Sequence, residues 1–278
     1  MPKVSVVMGV YNGEKYLSEA IESILNQTFT DFEFIICDDG SSDRSVQIIE
    51  NYANQDNRIV FLKNNVNRGL AATLNRCIEI SKGEYIARMD CDDLSLRDRF
   101  EKQVRYLDRH KEIAIVGGAV YLFDEKGKYG LRRSKSKFNK VEVFKNSFFI
   151  HPTVMMRKSM LLSVNGYTVS KYTYRTEDYD LWCKFCYFGF QGANIDEVLL
   201  YYREDRDAYL KKKFRYRIDE MYLRIEWYKK LEIPKYYLPY IIKPIVAGLI
   251  PKRIMRIYHR KKYSNKVGSI PNIVLDNM

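Results

Sequence analysis

A chain of 278 residues with 46% hydrophobic and 29% charged side chains can bury a full core, which excludes a disordered polymer and a small disulfide-stapled scaffold. Its five cysteines, Cys37, Cys77, Cys91, Cys183 and Cys186, follow no framework spacing, and their odd number suits a reducing compartment. The formal charge of +12 is uneven: from Asp205 to Met278 there are 18 Lys and Arg against 7 Asp and Glu, +11 of the total, so the tail alone is expected to meet an anionic surface.

The opening Met1-Pro2-Lys3-Val4-Ser5-Val6-Val7 has neither the n-region nor the cleavage site of a signal peptide and reads as a first strand, so a cytoplasmic location is expected. Apolar runs at residues 4–9, 32–37, 59–62, 83–89 and 113–117 predict five strands. Helical periodicity over 14–26, 43–52, 70–81 and 97–107 fills the gaps between them. Strand–helix alternation with short connections predicts an α/β fold with a mainly parallel, Rossmann-like sheet sandwiched by helices. Beyond Gly118 short strands are expected at 121–123, 148–150 and 153–156, around a polar, basic stretch from Lys126 to Lys140. A short helix closed by 161–164, a helix at 178–187, a late strand at 195–202 and a long basic helix at 207–231 follow. Pro234, Pro239, Pro244 and Pro251 then break the tail. Cys183 and Cys186 fall in the helix at 178–187 with no second pair to complete a zinc site, so the thiols are assigned a structural role.

Three acidic clusters fall at strand ends or on the loop beside them. In Arg88-Met89-Asp90-Cys91-Asp92-Asp93, three carboxylates crowd into four residues, a charge density that a strand interior does not tolerate. The acids therefore belong at the carboxyl edge of the sheet, where open α/β folds bind ligands. Clustered carboxylates repel one another unless a cation compensates them, and oxygen donors suit Mg2+ or Mn2+ shared with a substrate's phosphates. The plain alternative is a solvated loop. In Asp38-Asp39-Gly40-Ser41-Ser42-Asp43, Ser42 or Asp43 reads as a helix N-cap. A cap needs one such residue, and the spare carboxylates can accept from a nucleobase imide N–H or from ribose hydroxyls. Thr176-Glu177-Asp178 has the ordinary reading of an acidic first helical turn. Asn67-Arg68-Gly69-Leu70 places a glycine at a helix start, which suits an anion or a base edge, or is simply a turn with a solvated arginine. His151 follows an apolar run, and Arg88 stands within a strand, where it can offset the acids or meet phosphate.

In this order the motifs resemble the family 2 inverting glycosyltransferases, nucleotide-diphosphosugar enzymes of the GT-A fold, over roughly residues 4–202. Tyr11-Asn12-Gly13, Gln27-Thr28-Phe29 and Glu177-Asp178-Tyr179-Asp180-Leu181-Trp182 belong to the same match. The resemblance implies that Tyr11, Asp38 and Asp39 line the nucleobase and ribose, with Val10, Arg68, Arg88 and His151 in the same donor pocket. It implies that Asp92 is the direct ligand of Mn2+ or Mg2+ and that Asp90 addresses the metal, its water or the ribose. Asp178 takes the position of the catalytic base, with Glu177 as its rival. A metal-dependent inverting transfer is implied, from a nucleotide-diphosphate sugar (UDP by the resemblance) to a saccharide or lipid-linked acceptor, in surface polysaccharide synthesis. Residues 1–204 would be the catalytic domain, with 1–118 binding the nucleotide sugar and 119–204 the acceptor, and residues 205–278 a basic extension.

Two other functions fit parts of the sequence. A nucleotidyltransferase would also use a metal and an α/β nucleotide pocket, but would favour a basic, Gly-rich loop where Gly9-Val10-Tyr11-Asn12-Gly13 stands. A nucleic-acid-binding protein would need aromatic and basic residues interleaved on the catalytic part as well as on the tail. Residues 236–251 are apolar but interrupted by Lys243 and prolines, short of the about 20 apolar residues of a membrane span. Residues 252–262 mix aromatic, apolar and basic side chains, as an interfacial segment on anionic lipid does. The expected placement is peripheral, at the inner face of the plasma membrane; the competing expectation is a tail packed on the catalytic domain.

Overall fold

The computed structural model describes residues 1–135, 137–204 and 214–264. A nine-stranded sheet runs through it in the order β3 (Ile59–Lys63), β2 (Phe32–Asp38), β1 (Val4–Val10), β4 (Tyr85–Met89), β8 (Met155–Arg157), β6 (Ile113–Asp124), β9 (Gln191–Arg203), β5 (Leu94–Ser95), with β7 (Gly127–Arg132) hairpinned onto β6. The first half is the expected parallel unit. β1 (Val4–Val10), β2 (Phe32–Asp38), β3 (Ile59–Lys63) and β4 (Tyr85–Met89) alternate with α1 (Leu17–Leu25), α2 (Ser45–Gln55) and α3 (Leu70–Ile80). The register pairs Val10 with Asp38 and Asp38 with Lys63, so the carboxyl ends of these strands finish level.

The two-residue period of a strand sorts side chains to opposite faces. Val4, Val6, Met8 and Val10 of β1 enter one apolar cluster with Leu17, Ala20, Ile21 and Ile24 of α1. Val7 enters the opposite cluster, with Leu74, Cys77 and Ile78 of α3. Helices thus cover both faces. α4 (Arg99–Arg109) adds Phe100, Val104 and Leu107 to the first cluster, and α7 (Glu177–Tyr187) adds Tyr179, Trp182 and Phe185 to the second.

The second half is mixed. β8 (Met155–Arg157) runs antiparallel between β4 and β6 (Ile113–Asp124). β9 (Gln191–Arg203) runs parallel to β6, and β5 (Leu94–Ser95) antiparallel to β9. The strands expected at 113–117 and 121–123 are one strand. The basic stretch contains β7 (Gly127–Arg132) and α5 (Lys140–Lys145). Phe148, Phe149 and Ile150 are buried but form no strand. Pro152 follows them inside a 3-10 turn, His151–Thr153, and its missing N–H cannot serve a ladder. The short helix expected to close at 161–164 is α6 (Lys158–Ser163).

Of the predicted helix at 207–231, α8 (Arg215–Lys230) is observed; its first residues lie outside the described part. A 3-10 segment (Lys235–Ile241), α9 (Lys243–Leu249) and α10 (Lys252–Ser264) follow. Leu223, Trp227, Leu231 and Ile233 belong to the same apolar cluster as α7. The Trp227 indole N–H donates to Asp180 Oδ1 at 2.8 Å, and Arg224 donates to the Phe144 carbonyl at 2.6 Å. The described part of the extension therefore packs on the sheet-bearing body of the chain. All five thiols are free, and no described helix is long and apolar enough to cross a membrane.

Candidate active site

The turns after β1 and β2 are locked together at the carboxyl edge of the sheet. Asn12, at φ +51°, donates its N–H to Ser41 Oγ at 2.9 Å and accepts from the Ser42 N–H at 2.9 Å. Asp43, one of the two expected caps, accepts from the Ser45 N–H at 3.0 Å and from the Glu14 N–H at 3.0 Å. Asp38 is fully buried and its Oδ2 closes the turn, accepting from the Gly40 and Ser41 N–H groups at 3.1 and 3.0 Å. Asp39 reaches the other way, into the loop before α3. Its Oδ1 accepts from Asn64 Nδ2 and the Arg68 N–H, and its Oδ2 from the Gly69 N–H, each at 2.8 Å. An ionised carboxylate has about four lone-pair positions. Three are taken, which leaves one for a ligand N–H or O–H.

That carboxylate borders a cavity of about 500 Å3, lined also by Val10, Tyr11, Arg68, Arg175 and Glu177. Residues from two strand ends, the start of α3 and the start of α7 thus meet in one place. Arg175 is held at φ +70°, a left-handed conformation that a non-glycine residue adopts only under constraint. A larger groove of about 820 Å3, bordered by Lys135, Asn194 and Tyr237, shares no lining residue with it.

Beyond β4 the acids sit where the sequence places them. Asp90, Asp92 and Asp93 can each offer one oxygen, and these oxygens all lie within 4.8 Å of one another. Asp92 is exposed to solvent, yet the protein atoms crowded round its carboxyl and the Asp90 charge push it up to about 6. Burial, with Asp92 and Asp90 alongside, drives Asp93 well above its usual range. Asp93 Oδ2 is buried without a hydrogen-bond partner, and its Oδ1 accepts from the Arg203 N–H at 2.8 Å. The same burial and charges push the Cys91 thiol up, so it remains protonated and unreactive.

Arg203, the last residue of β9, holds this loop. Its Nε donates to the Asp92 carbonyl at 2.8 Å and its Nη2 to Glu19 at 2.9 Å. Its guanidinium lies 3.8 Å from the Tyr16 ring centroid and 4.4 Å from that of Phe123.

Arg88 links the two acidic clusters. It is buried in β4, paired with Asp90, and its Nε and Nη1 have no partner. Its positive charge acts on Asp92 and Asp93 and also on Glu177 and Asp178. Glu177, at the start of α7, is raised to about 7 by burial and by the Asp178 charge. Asp178 is raised too, chiefly by burial, and accepts from Ser147 Oγ at 3.0 Å. His151 Nε2 is 2.7 Å from the Tyr167 hydroxyl. Burial, then the Arg88 charge, holds the imidazole neutral. Asn75 of α3 clamps the Tyr167 backbone through two bonds, at 2.7 and 2.9 Å.

Of the sequence candidates, Val10, Tyr11, Asp39, Arg68 and Glu177 line the cavity. Arg88, Asp90, Asp92 and Asp178 form the adjoining charged group, with the neutral His151 beside Arg88, and Asp38 serves the turn. Asp93, Ser147, Tyr167 and Arg203 were not singled out. Asp93 stood in the acidic string, whereas Arg203 contacts it across 110 residues with no local signal.

The family model described as glycosyl transferase family 2 matches residues 5–164. The chain is 41% identical over 266 residues to the putative glycosyltransferase EpsE of Bacillus subtilis, covering 95% of this chain and 96% of that one. It is 34% identical over 240 residues to the O-antigen biosynthesis glycosyltransferase WbnJ of Escherichia coli, covering 84% and 92%. In fold it is similar to S. aureus TarS 1-349 in complex with UDP, with a TM-score of 0.66, 19% identity, and coverage of 84% of this chain and 68% of that one. It is also similar to the mannosyltransferase PcManGT from Pyrobaculum calidifontis in complex with GDP-Man and Mn2+, at a TM-score of 0.61 and 15% identity, covering 98% and 77%. The family match spans the strands that carry the strand-end acids, and the identity to EpsE runs over nearly the whole chain, which decides against the nucleotidyltransferase and nucleic-acid readings: the chain belongs to glycosyl transferase family 2 and is a glycosyltransferase.

Proposed function

We propose that the chain is a metal-dependent, inverting glycosyltransferase that moves a sugar from a nucleotide-diphosphate donor, with UDP as the nucleotide, to a saccharide or lipid-linked acceptor in surface polysaccharide synthesis. The observation that carries this reading is the buried Arg88, whose charge acts on both Asp90–Asp93 and Glu177–Asp178 beside the Asp39 cavity. The UDP of TarS, the GDP-Man of PcManGT and the O-antigen role of WbnJ support the donor class and the setting.

Asp39, fixed by three donors, presents its remaining lone pair to a nucleobase imide N–H, and Tyr11, half exposed on the same wall, packs against the base. Arg68 at the rim faces the anionic part of the donor. Asp90, Asp92 and Asp93 form an all-oxygen set, and the unpartnered Asp93 Oδ2 fits a hard divalent ion such as Mn2+ or Mg2+. Such an ion, when bound, supplies charge neutralisation for the departing diphosphate. Asp178, oriented by Ser147, removes the proton from the acceptor hydroxyl as that oxygen attacks the anomeric carbon. The bond to the diphosphate breaks in the same displacement, so the configuration inverts. Burial raises the proton affinity of Asp178 and so strengthens it as a base. One observation favours Glu177 in that role: it lines the cavity and Asp178 does not.

A thermal-shift panel of sugar nucleotides with and without Mn2+ tests the reading, followed by NMR of the product's anomeric configuration. Stabilisation by one sugar nucleotide that grows with Mn2+, and an inverted product, are expected. No response to any donor, or a retained configuration, refutes it.

A further inference from the structure

The amphipathic pattern of the C-terminal helices is reversed with respect to the protein body. In α9 the small or buried residues face inward: Pro244 is buried, and Gly248 lies so close to Phe214 and Arg217 that a Cβ there would meet both at 3.0 Å. Ile242, Val246 and Leu249, at the i, i+4, i+7 spacing of one helical face, are all exposed, Leu249 by 71%. The same holds in α10. Arg260 turns inward to Asp124 at 3.2 Å and over the Tyr129 ring at 4.7 Å, while Tyr263 packs on Gly130. Ile254, Ile257 and Tyr258 form the opposite stripe and are exposed, Ile257 by 68%.

A solvated helix normally presents its polar face to water. Two successive helices that spend basic and small residues on the protein contact and turn branched apolar residues outward need a non-aqueous partner. The charge identifies its sign. Between Glu232 and Ser264 the sequence has eight Lys and Arg and no Asp or Glu. Arg253, Lys261 and Lys262 flank the α10 stripe and are exposed.

We propose that the outer face of α9 and α10 is a docking surface for an anionic lipid bilayer. Its apolar stripe sinks into the acyl boundary, about 5–10 Å deep as interfacial helices do, and its basic rim meets the headgroups. The surface is tied to the catalytic side of the molecule. Lys243, at the start of α9, donates to the Lys145 carbonyl at 2.8 Å and to the Asn146 side chain, and the next residue, Ser147, holds Asp178. Docking through this face therefore sets the acceptor side of the site close to the bilayer.

Flotation of the full chain tests the proposal, with vesicles of phosphatidylcholine alone or mixed with phosphatidylglycerol. Flotation with the anionic vesicles, little with the neutral ones, and release by high salt are expected. The triple variant Leu249→Ser, Ile254→Ser, Ile257→Ser should bind at least tenfold less, with the wild-type melting temperature and wild-type donor-induced thermal shift. If that variant misfolds, Arg253→Glu with Lys261→Glu serves instead and should abolish the preference for anionic vesicles. Absence of binding by the wild type, or full binding by either folded variant, overturns the proposal. So does a wild-type dimer in size-exclusion chromatography that the triple variant dissociates while vesicle binding persists, since the stripe would then cover a second copy. Donor binding is read separately, so failure here leaves the glycosyltransfer reading intact.

Discussion

Replacing Glu177 by Gln keeps the shape of the side chain and removes a charge from a poor solvent. A glutamate ordinarily titrates near 4.5; burial, reinforced by the Asp178 charge, moves Glu177 to about 7. Between those values the native fold keeps a proton that the unfolded chain releases, so stability falls as pH rises through this window. Below about pH 4.5 the group contributes no penalty. Above about pH 7 the whole penalty is present, about 3 kcal/mol at about 1.4 kcal/mol per pH unit. The Gln variant escapes it. It should match the wild type at low pH and exceed it above about pH 8 by about 3 kcal/mol, which is several degrees of melting temperature in a chain of this size. Thermal and urea melts across pH, in EDTA and without donor, measure the difference. An offset that stays constant with pH, or a wild type that is more stable at high pH, would refute the argument.

Asp178→Asn should lower kcat by about 100- to 10,000-fold, the usual contribution of a general base, with donor affinity by calorimetry unchanged; full turnover would remove Asp178 from that role. Asp92→Ala should abolish the Mn2+-dependent part of the donor's thermal shift and leave the metal-free part in place. Gly40→Ala imposes a Cβ at φ +75°, 2.9 Å from the Val66 carbonyl carbon. It should cost at least about 1–2 kcal/mol in urea melts and weaken donor binding by moving the loop that Asp39 clamps. Arg203→Gln removes charge-assisted bonds to the Asp92 carbonyl and Glu19. A loss of about 1.5–3 kcal/mol per such bond should accompany a higher Mn2+ concentration at half-saturation.

The parallel half of the sheet is legible because each of its strands is a compact apolar run and each helix shows one apolar face. The second half is less so, for identifiable reasons. Gly127–Arg132 has no apolar run and becomes a strand by pairing with β6 across an irregular register. Leu94–Ser95 is two residues long and exists only as the partner of β9. Phe148 to Ile150 looks like a strand because it is apolar, yet its apolarity serves the core beneath Trp182: Phe149 meets that ring edge-on at 5.0 Å. The acids of the site are conspicuous because helix caps and turns have no use for so many of them. Arg203, Asn75 and Ser147 act at distances of 31 to 184 residues along the chain, and a polar residue whose partner is that remote leaves no periodic trace.

The indole of Trp227 is anchored to Asp180, three positions after Glu177 on α7. A chain ended after β9 would leave that carboxylate with no donor from α8 and strip the cover from the aromatic layer around it. Trimming the chain there would therefore destabilise the very turn that carries Glu177 and Asp178, the proposed bases. The extension and the start of α7 constitute one mechanical block, and any other tail on this chain would have to refit this buried seam.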